Sequence, residues 1–223
     1  MLEIVTTEDG SKTIYNSEVG ENYHSIHGAL QESRHVFLQS GLIHFLNISQ
    51  QKAVSVLEVG FGTGLNFLLS ADYCIENQIK LDYTGIEAYP LSVEMISDTG
   101  YNQYLSNEIW DTFIKQYLDS LNGPVSLDEF CRLHLTECKL LDFKSDKRFD
   151  IIYFDAFASA HQPEMWTEES IQHTMEFLKP GGVFVTYAIT GNLKRTIKSL
   201  GLKVEKAPGA LGKREMLRAT KPA

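Results

Sequence analysis

The first fifty residues combine two short β-like stretches with one helical stretch. Leu2–Thr7 and Lys12–Tyr15 are rich in β-branched and aromatic residues, and the Asp-Gly pair between them is typical of a hairpin turn. In Ala29–Leu46 the apolar residues recur at helical spacing. We therefore predict a β-hairpin and a helix in residues 1–50, as an N-terminal extension of the main fold.

From Lys52 onward, apolar runs that predict strands alternate with stretches that predict helices. The predicted strands are Val54–Val59, Leu81–Glu87, Arg132–Thr136, Phe149–Asp155 and Val183–Ala188, followed by two candidates, Leu202–Glu205 and Arg214–Thr220. The clearest helices follow Gly64, cover Pro163–Leu178 up to a Lys-Pro-Gly-Gly turn, and lie near Asn192–Leu200. This alternation predicts an α/β fold with a doubly wound, mostly parallel sheet of the Rossmann-like type.

Residues 97–130 interrupt the alternation with aromatic and apolar side chains at helical spacing. We predict a helical insertion there, whose ordinary role is packing. Because 223 residues fit one generous domain, residues 1–223 are expected to form a single domain.

Composition narrows the class of protein. With 43% hydrophobic and 22% charged residues the chain has the balance of a globular protein. Its three cysteines form no C-x-x-C pair and its histidines have no ligand partners at suitable spacing, so neither disulfides nor a metal site are expected. No leader pattern or long apolar run is visible. We expect a cytoplasmic protein without membrane partners, monomeric or weakly homo-oligomeric.

The charge is distributed unevenly along the chain. The formal net charge is −9, which taken alone disfavours a nucleic-acid partner. From Thr190 onward, however, nine basic residues stand against two acidic ones, a net +7 that leaves −16 on the preceding residues. This basic segment is either a solvated surface or a contact for a polyanion.

A glycine-rich turn follows the first strand of the alternating region. Glu58, Gly60, Gly62 and Gly64 form the pattern E-x-G-x-G-x-G, in which glycines allow tight turning and close approach of a ligand. The spacing differs from the dinucleotide pattern G-x-G-x-x-G. It resembles motif I of class I S-adenosylmethionine-dependent methyltransferases, in which this loop lies against the methionine part of the cofactor. A tight turn without a ligand is the structural alternative.

The second strand ends in a carboxylate, Glu87, followed by Ala88. A carboxylate at this position can accept hydrogen bonds from both ribose hydroxyls of a nucleotide-like cofactor. An acidic or polar residue after the third strand usually meets adenine in such proteins. Here Cys138 and Lys139 occupy that position, and Asp142 is the nearest carboxylate. Glu87, Ala88 and Asp142 are therefore predicted cofactor contacts.

The fourth strand ends at Asp155, on the edge of the sheet where ligands bind in doubly wound folds. A carboxylate there can orient an attacking amine and take up its proton. The structural alternative is an aspartate that caps a helix or braces a loop. We predict Asp155 as the catalytic residue.

Four stretches of the chain together resemble a known family. They are G-A-L-Q-E-S-R-H-V-F-L, E-V-G-F-G-T-G-L-N-F, D-A-F-A-S-A-H-Q-P-E-M-W-T and G-K-R-E-M-L-R. In this order they are similar to the MnmC-type tRNA 5-methylaminomethyl-2-thiouridine methyltransferases, from about Tyr15 to Arg218. The resemblance implies S-adenosylmethionine as cofactor, S-adenosylhomocysteine as product, and methylation of the aminomethyl group of the wobble uridine in the tRNA anticodon loop.

The resemblance also implies roles for single residues. Asp155 would be the catalytic carboxylate, and Phe61 and Asn66 would hold the cofactor together with the glutamates and glycines named above. Glu32 and Arg34 would help to close the site from the N-terminal side. One loop departs from the family pattern D-G-F-A-P-A-K-N-P, since residues 156–162 lack its glycine, proline and lysine. The shape of this loop and the phosphate contact of that lysine are therefore not predicted.

Substrate contacts follow from the RNA that the resemblance implies. Lys213 and Arg214 belong to the last of the four motifs, and we predict that they contact phosphates. Phe157 and Trp166 are candidates for stacking on splayed bases, although core packing is as good a role for Trp166. Bifunctional members of the family carry a flavin-dependent oxidase domain, for which 223 residues leave no room. We expect no oxidase activity, no FAD and no metal.

Two other functions remain compatible with the sequence. One is a class I transferase that acts on a small amine, similar to a polyamine aminopropyltransferase, which would not need the basic segment. The other is a non-catalytic protein that binds tRNA or the cofactor.

Overall fold

The N-terminal residues form a small antiparallel sheet in the computed structural model, which describes residues 1–210, 212 and 214–223. Its strands are β1 (Leu2–Thr6), β2 (Lys12–Asn16) and β3 (Glu21–Asn22). The predicted hairpin is therefore present. Asp9 in its turn accepts hydrogen bonds from the backbone of Ser11 (2.9 Å) and Gln31 (3.0 Å), which joins the turn to the first helical stretch.

The main sheet has eight strands in the order β10-β11-β9-β8-β4-β5-β7-β6. They are β4 (Ala53–Val59), β5 (Lys80–Glu87), β6 (Val125–Ser126), β7 (Cys131–Glu137), β8 (Phe149–Phe154), β9 (Leu178–Thr186), β10 (Lys203–Pro208) and β11 (Glu215–Thr220). Strands β4, β5, β7, β8 and β9 pair in parallel, and the others pair antiparallel with their neighbours. The predicted α/β fold with a mostly parallel sheet is confirmed.

Helices cover both faces of the main sheet. They are α1 (Ala29–Glu32), a π-helical stretch Ser33–Ile43 and α2 (His44–Ser49), which run on continuously, then α3 (Leu65–Glu76), α4 (Val93–Asp98), α5 (Ile109–Asn122), α6 (Glu168–Glu176) and α7 (Gly191–Ser199). The first core contains buried residues of the π-helical stretch, α3 and α5, and the second those of α6 and α7. Among the described residues, no helix is both long and apolar enough to cross a bilayer.

The predicted helix over Pro163–Leu178 is wrong in its bounds. Pro163–Trp166 is a short 3-10 turn, and α6 begins only after Thr167, whose hydroxyl accepts from the Ser170 backbone (3.1 Å) as a helix cap. The Lys-Pro-Gly-Gly segment is part of β9 rather than a turn. Its glycines pair with the backbone of Lys221, since Gly181 N donates to Lys221 O (2.9 Å) and Lys221 N to Gly182 O (3.0 Å).

His24 gives the N-terminal sheet a pH-dependent contact. Its backbone N–H donates to Thr13 Oγ1 (3.1 Å), and the Thr13 hydroxyl also lies 3.0 Å from Nδ1 of the buried ring. Burial lowers the pKa of His24 to about 4. Because this pKa lies below that of the unfolded chain, the stabilisation is complete above about pH 6.5 and is lost as the pH falls toward 4.

We therefore expect His24→Gln to weaken the pH dependence of stability. In the unmodified protein, the free energy of unfolding contributed by His24 falls by up to about 3 kcal/mol between these pH values. Urea unfolding of both proteins at a series of pH values measures it. Identical pH profiles would show that His24 carries no such contribution.

Candidate active site

The glycine turn connects β4 to α3 at the carboxyl edge of the parallel strands. Gly60 has φ +86°, and a Cβ there would lie 2.5 Å from the Asp155 carbonyl oxygen. Gly62 has φ +52°, and a Cβ there would lie 2.8 Å from Tyr23 Cδ1. Both positions therefore require glycine, for backbone conformation and for space. Gly64 immediately precedes α3.

The side-chain amide of Asn66 connects two other predicted site residues, Glu58 and Asp155. Asn66 Nδ2 donates to Glu58 Oε1 (2.8 Å) and to Asp155 Oδ2 (2.8 Å). Tyr83 donates to the other oxygen of Glu58 (2.8 Å). Burial raises the pKa of Glu58 well above its ordinary value and the nearby Asp155 carboxylate raises it further, against the two donated hydrogen bonds. The end of β8 is thus linked to β4 and α3 by a buried polar network.

Glu87 lies beside the glycine turn, as the sequence predicts. Its carboxylate accepts from the backbone of Gly62 (2.9 Å) and Tyr89 (3.0 Å), and the Ala88 backbone also donates to it. Burial raises the pKa of Glu87 against these hydrogen bonds. Asp142 is exposed, in the 3-10 turn Leu140–Asp142 that follows β7. Glu87 and Asp142 therefore stand at the ends of neighbouring strands.

The Phe61 ring does not face this cleft. It is 3% exposed and packs in the core against Phe67 and Phe113, with ring centroids 6.0 and 6.3 Å away. Its backbone N–H and carbonyl brace the turn, by hydrogen bonds with Ile86 O (3.2 Å) and Gly64 N (3.0 Å). Any contact of Phe61 with a cofactor is therefore limited to its backbone.

The N-terminal sheet holds the loop that follows Asp155. Glu21 accepts a hydrogen bond from the Ala158 backbone (2.8 Å), and His161 Nδ1 lies 3.0 Å from the Val19 carbonyl oxygen. The Tyr23 ring meets the Phe157 ring edge-on at 5.0 Å. The loop that departs from the family pattern is thus fixed by contacts from residues 19–23.

A cavity of about 420 Å³ opens beside this loop. Trp166, Tyr187 and Arg214 line it, so two of the predicted substrate contacts, Trp166 and Arg214, border the same cavity. Trp166 donates to the Phe157 carbonyl oxygen (2.7 Å), and Tyr187 to that of Ala156 (2.9 Å). Burial and three carboxylates, those of Asp155, Glu21 and Glu32, raise the pKa of Tyr187. Three acidic residues therefore lie near the Tyr187 hydroxyl.

The two residues predicted to close the site lie apart. Glu32 is 5% exposed, accepts from the Ser25 backbone (3.1 Å) and is close enough to affect Tyr187. Arg34 is exposed, and its guanidinium donates to the Tyr104 carbonyl oxygen (3.5 Å) beside the helical insertion. Lys213 lies outside the described residues.

Several basic side chains of the C-terminal segment are engaged within the protein. Glu205 pairs with Arg218 (3.0 Å) and Glu215 with Lys206 (3.3 Å), while the Lys221 ammonium donates to two backbone carbonyls. The start of α7 borders the cavity, because Thr190 and Leu193 line it together with Arg214. The same helix carries three basic residues, Lys194, Arg195 and Lys198.

Sequence reasoning missed three residues of the site. Glu21 and Tyr23 lie in a polar segment without periodicity, and only the folded chain shows that they reach the loop after Asp155. The position of Tyr187 at the site could have been predicted from the sequence. It falls at the end of the predicted fifth strand, and the carboxyl ends of parallel strands share one edge of the sheet.

The sheet is open and mostly parallel, with the glycine turn at its carboxyl edge and the carboxylates of Glu87 and Asp155 at the ends of β5 and β8. These features define an enzyme of the Rossmann-like transferase type. The sequence profile of one family, described as S-adenosyl-L-methionine-dependent methyltransferase, matches residues 105–222. The chain belongs to this family.

Individual proteins show the same relationship. The chain is 31% identical over 207 residues to the tRNA 5-methylaminomethyl-2-thiouridine biosynthesis bifunctional protein MnmC of Leptospira borgpetersenii, covering 87% of this chain and 31% of that protein. The corresponding protein of Methylobacillus flagellatus is 30% identical over 213 residues, covering 91% and 33%. The chain thus spans about a third of the length of these curated relatives.

Solved structures share the fold. The crystal structure of MNMC2 from Aquifex aeolicus matches with a TM-score of 0.78 at 23% identity, covering 100% of this chain and 72% of that one. A putative class I S-adenosylmethionine-dependent methyltransferase from Listeria monocytogenes matches with a TM-score of 0.51 at 16% identity, covering 88% and 64%. The class I methyltransferase fold predicted from the sequence is confirmed.

Proposed function

We propose that the protein methylates the amino nitrogen of an aminomethyl group on the wobble uridine of tRNA, using S-adenosylmethionine. The observation that carries this proposal is the hydrogen bond from Asn66 to Asp155 (2.8 Å), close to a cavity lined by Trp166, Tyr187 and Arg214. The name of the bifunctional relatives supports the choice of substrate.

Asp155 is the proposed catalytic residue. Bound S-adenosylmethionine would supply its sulfonium methyl group to the neutral amine nitrogen, a new N–C bond replacing the C–S bond, whose electron pair would stay on a neutral thioether sulfur. Asp155 orients the amine lone pair and accepts the proton that leaves the nitrogen. The hydrogen bond from Asn66 fixes the Asp155 carboxylate for this task.

The residues of the cleft fit such a cofactor. Asn66 Oδ1 is a buried acceptor without a hydrogen-bond partner among the described residues, which a donor group of the cofactor would satisfy. Glu87 is the proposed partner of the ribose hydroxyls, with Ala88 beside it, and Asp142 the proposed neighbour of adenine. Glu58, Gly60 and Gly64 shape the loop.

The basic face of α7 and Arg214 are the proposed phosphate contacts. We expect Lys198→Glu and Arg214→Glu each to weaken tRNA binding, and to reduce the slope of log affinity against log salt by about 1. Lys80→Glu is the control, because Lys80 is exposed at the start of β5, on the opposite edge of the sheet. Filter binding at several salt concentrations measures the effect. Equal losses in all three variants would contradict these contacts.

The choice of acceptor separates this proposal from its alternatives. The assay follows a radioactive methyl group in the presence of tRNA or of free polyamines. Label on tRNA indicates a tRNA methyltransferase, and label on polyamines indicates a small-amine enzyme. No transfer to either acceptor indicates a non-catalytic binding protein. We expect incorporation into tRNA that carries the aminomethyl group. Preferential methylation of free amines would overturn the proposal.

A further inference from the structure

Three side chains from separate elements hold the backbone of the loop that follows Asp155. Their hydrogen bonds join Tyr187 to Ala156 O (2.9 Å), Trp166 to Phe157 O (2.7 Å) and Ala158 N to Glu21 (2.8 Å). Two of these side chains are neutral donors, and Glu21 is the charged one. Accepting a single backbone N–H does not require a charge, because an amide oxygen accepts it as well. The loop contact alone therefore does not account for a carboxylate at Glu21.

The charge of Glu21 is not compensated within the part of the chain that the structure describes. Its half-buried side chain accepts the hydrogen bond from Ala158 and takes part in no ion pair among these residues. A carboxylate withdrawn from water in this way is unfavourable unless a cation faces it. A cationic group of a ligand would offset this cost.

Glu21 and the proposed catalytic residue act on the same hydroxyl group. Burial raises the pKa of Tyr187, and the carboxylates of Asp155 and Glu21 raise it further. Tyr187 lines the cavity beside the loop and donates to the carbonyl oxygen of the residue after Asp155. The negative charge of Glu21 is therefore felt where the acceptor amine would meet Asp155.

The acceptor group of the proposed function is a cation before it reacts. An aliphatic primary amine is protonated at neutral pH, as a lysine side chain is. We propose that Glu21 is a specificity-determining residue, which recognises the acceptor as an ammonium while Asp155 takes up the proton that the nitrogen loses before it attacks. This inference rests on the proposed function, because it concerns the acceptor of that reaction. It predicts a preference for tRNA whose wobble base carries a positive charge.

The test compares two tRNAs that differ in one group. One carries the aminomethyl group on its wobble uridine and the other carries plain uridine there, and filter binding measures both with S-adenosylhomocysteine present. We expect the unmodified protein to prefer the aminomethyl tRNA by about tenfold, and Glu21→Gln to prefer it by less than about threefold. Glutamine keeps an oxygen for the Ala158 N–H, and general repulsion of RNA cancels in the ratio of affinities. An unchanged preference in Glu21→Gln would overturn the inference.

Glu3→Gln is the matched control. It removes the same charge from an exposed position in β1 of the same small sheet, so the preference should stay at about tenfold. Glu21→Asp keeps the charge and should keep most of the preference. If Glu21→Asp lost it as fully as Glu21→Gln does, the inference would be wrong.

Steady-state kinetics separates recognition by charge from a structural role of Glu21. We expect Glu21→Gln to raise KM for aminomethyl tRNA about tenfold and to lower kcat less than about threefold, because Asp155 remains in place. A lower kcat with unchanged KM would contradict recognition of the ammonium. If the unmodified protein bound both tRNAs equally and methylated neither, the proposed function itself would fail.

Discussion

Asp155→Asn lowers the rate of methyl transfer by about 10²-fold or more and leaves the affinity for S-adenosylhomocysteine nearly unchanged. The substitution preserves shape, and an amide oxygen can still accept the hydrogen bond from Asn66. What it removes is the negative charge that takes up the proton of the amine. Single-turnover rates with tRNA, together with calorimetry of the product cofactor, measure both quantities.

Asp150→Asn is the matched control for this substitution. Asp150 lies near the start of the same strand, β8, where it accepts from Ser55 (2.7 Å) and pairs with Lys179 (2.9 Å). The same chemical change there should lower stability without slowing the folded enzyme. If Asp155→Asn were as active as Asp150→Asn, Asp155 would have no catalytic role.

Gly60→Ala should be nearly as damaging, for a steric reason. A methyl group at Gly60 would lie 2.5 Å from the Asp155 carbonyl oxygen, so the glycine turn and the end of β8 must move apart. A displacement of about 1 Å at a reacting group can cost about 10²-fold in rate. The positive φ adds about 1–2 kcal/mol of destabilisation. We expect methyl transfer to fall by about 10²-fold and cofactor binding to weaken.

Gly181→Ala separates the effect of the positive φ from the effect of the steric contact. Gly181 also has a positive φ, +76°, but a Cβ there meets no atom within 4 Å. This variant should lose about 1–2 kcal/mol of stability and keep its activity per folded molecule. Thermal unfolding and initial rates of both variants give the comparison. Equal activity of the two would show that the contact between Gly60 and Asp155 is unimportant for the reaction.

Much of the main sheet could be predicted because its signals are local. The strand before Gly60 is a continuous apolar run, and the strand ends at Glu87 and Asp155 follow from where such runs stop. The helix predicted over Pro163–Leu178 is wrong in its bounds for two reasons. Its start has a local signal, because Thr167 is the better helix cap, whereas its end depends on the pairing of the glycines after Lys179 with Lys221, which is distant in sequence.

The parts that could not be predicted depend on contacts between distant segments. Glu21 and Ala158 are 137 positions apart, and no periodicity marks either as a partner of the other. The basic segment shows the same limit. Counting gives nine basic residues in this segment, but β10 and β11 pair antiparallel and bring Glu205 opposite Arg218, so the Arg218 side chain is engaged in an ion pair within the sheet. A count of charged residues does not show which of them lie opposite each other in the sheet.

Nucleoside mass spectrometry tests the central claim most directly. The protein is incubated with S-adenosylmethionine that carries a deuterated methyl group and with tRNA whose wobble uridine bears an aminomethyl group, and the tRNA is then digested to nucleosides. We predict that the deuterated methyl group is found on the amino nitrogen of that uridine, and that Asp155→Asn nearly abolishes the signal. Label on another nucleoside, or none with a protein that binds the cofactor, would contradict the account.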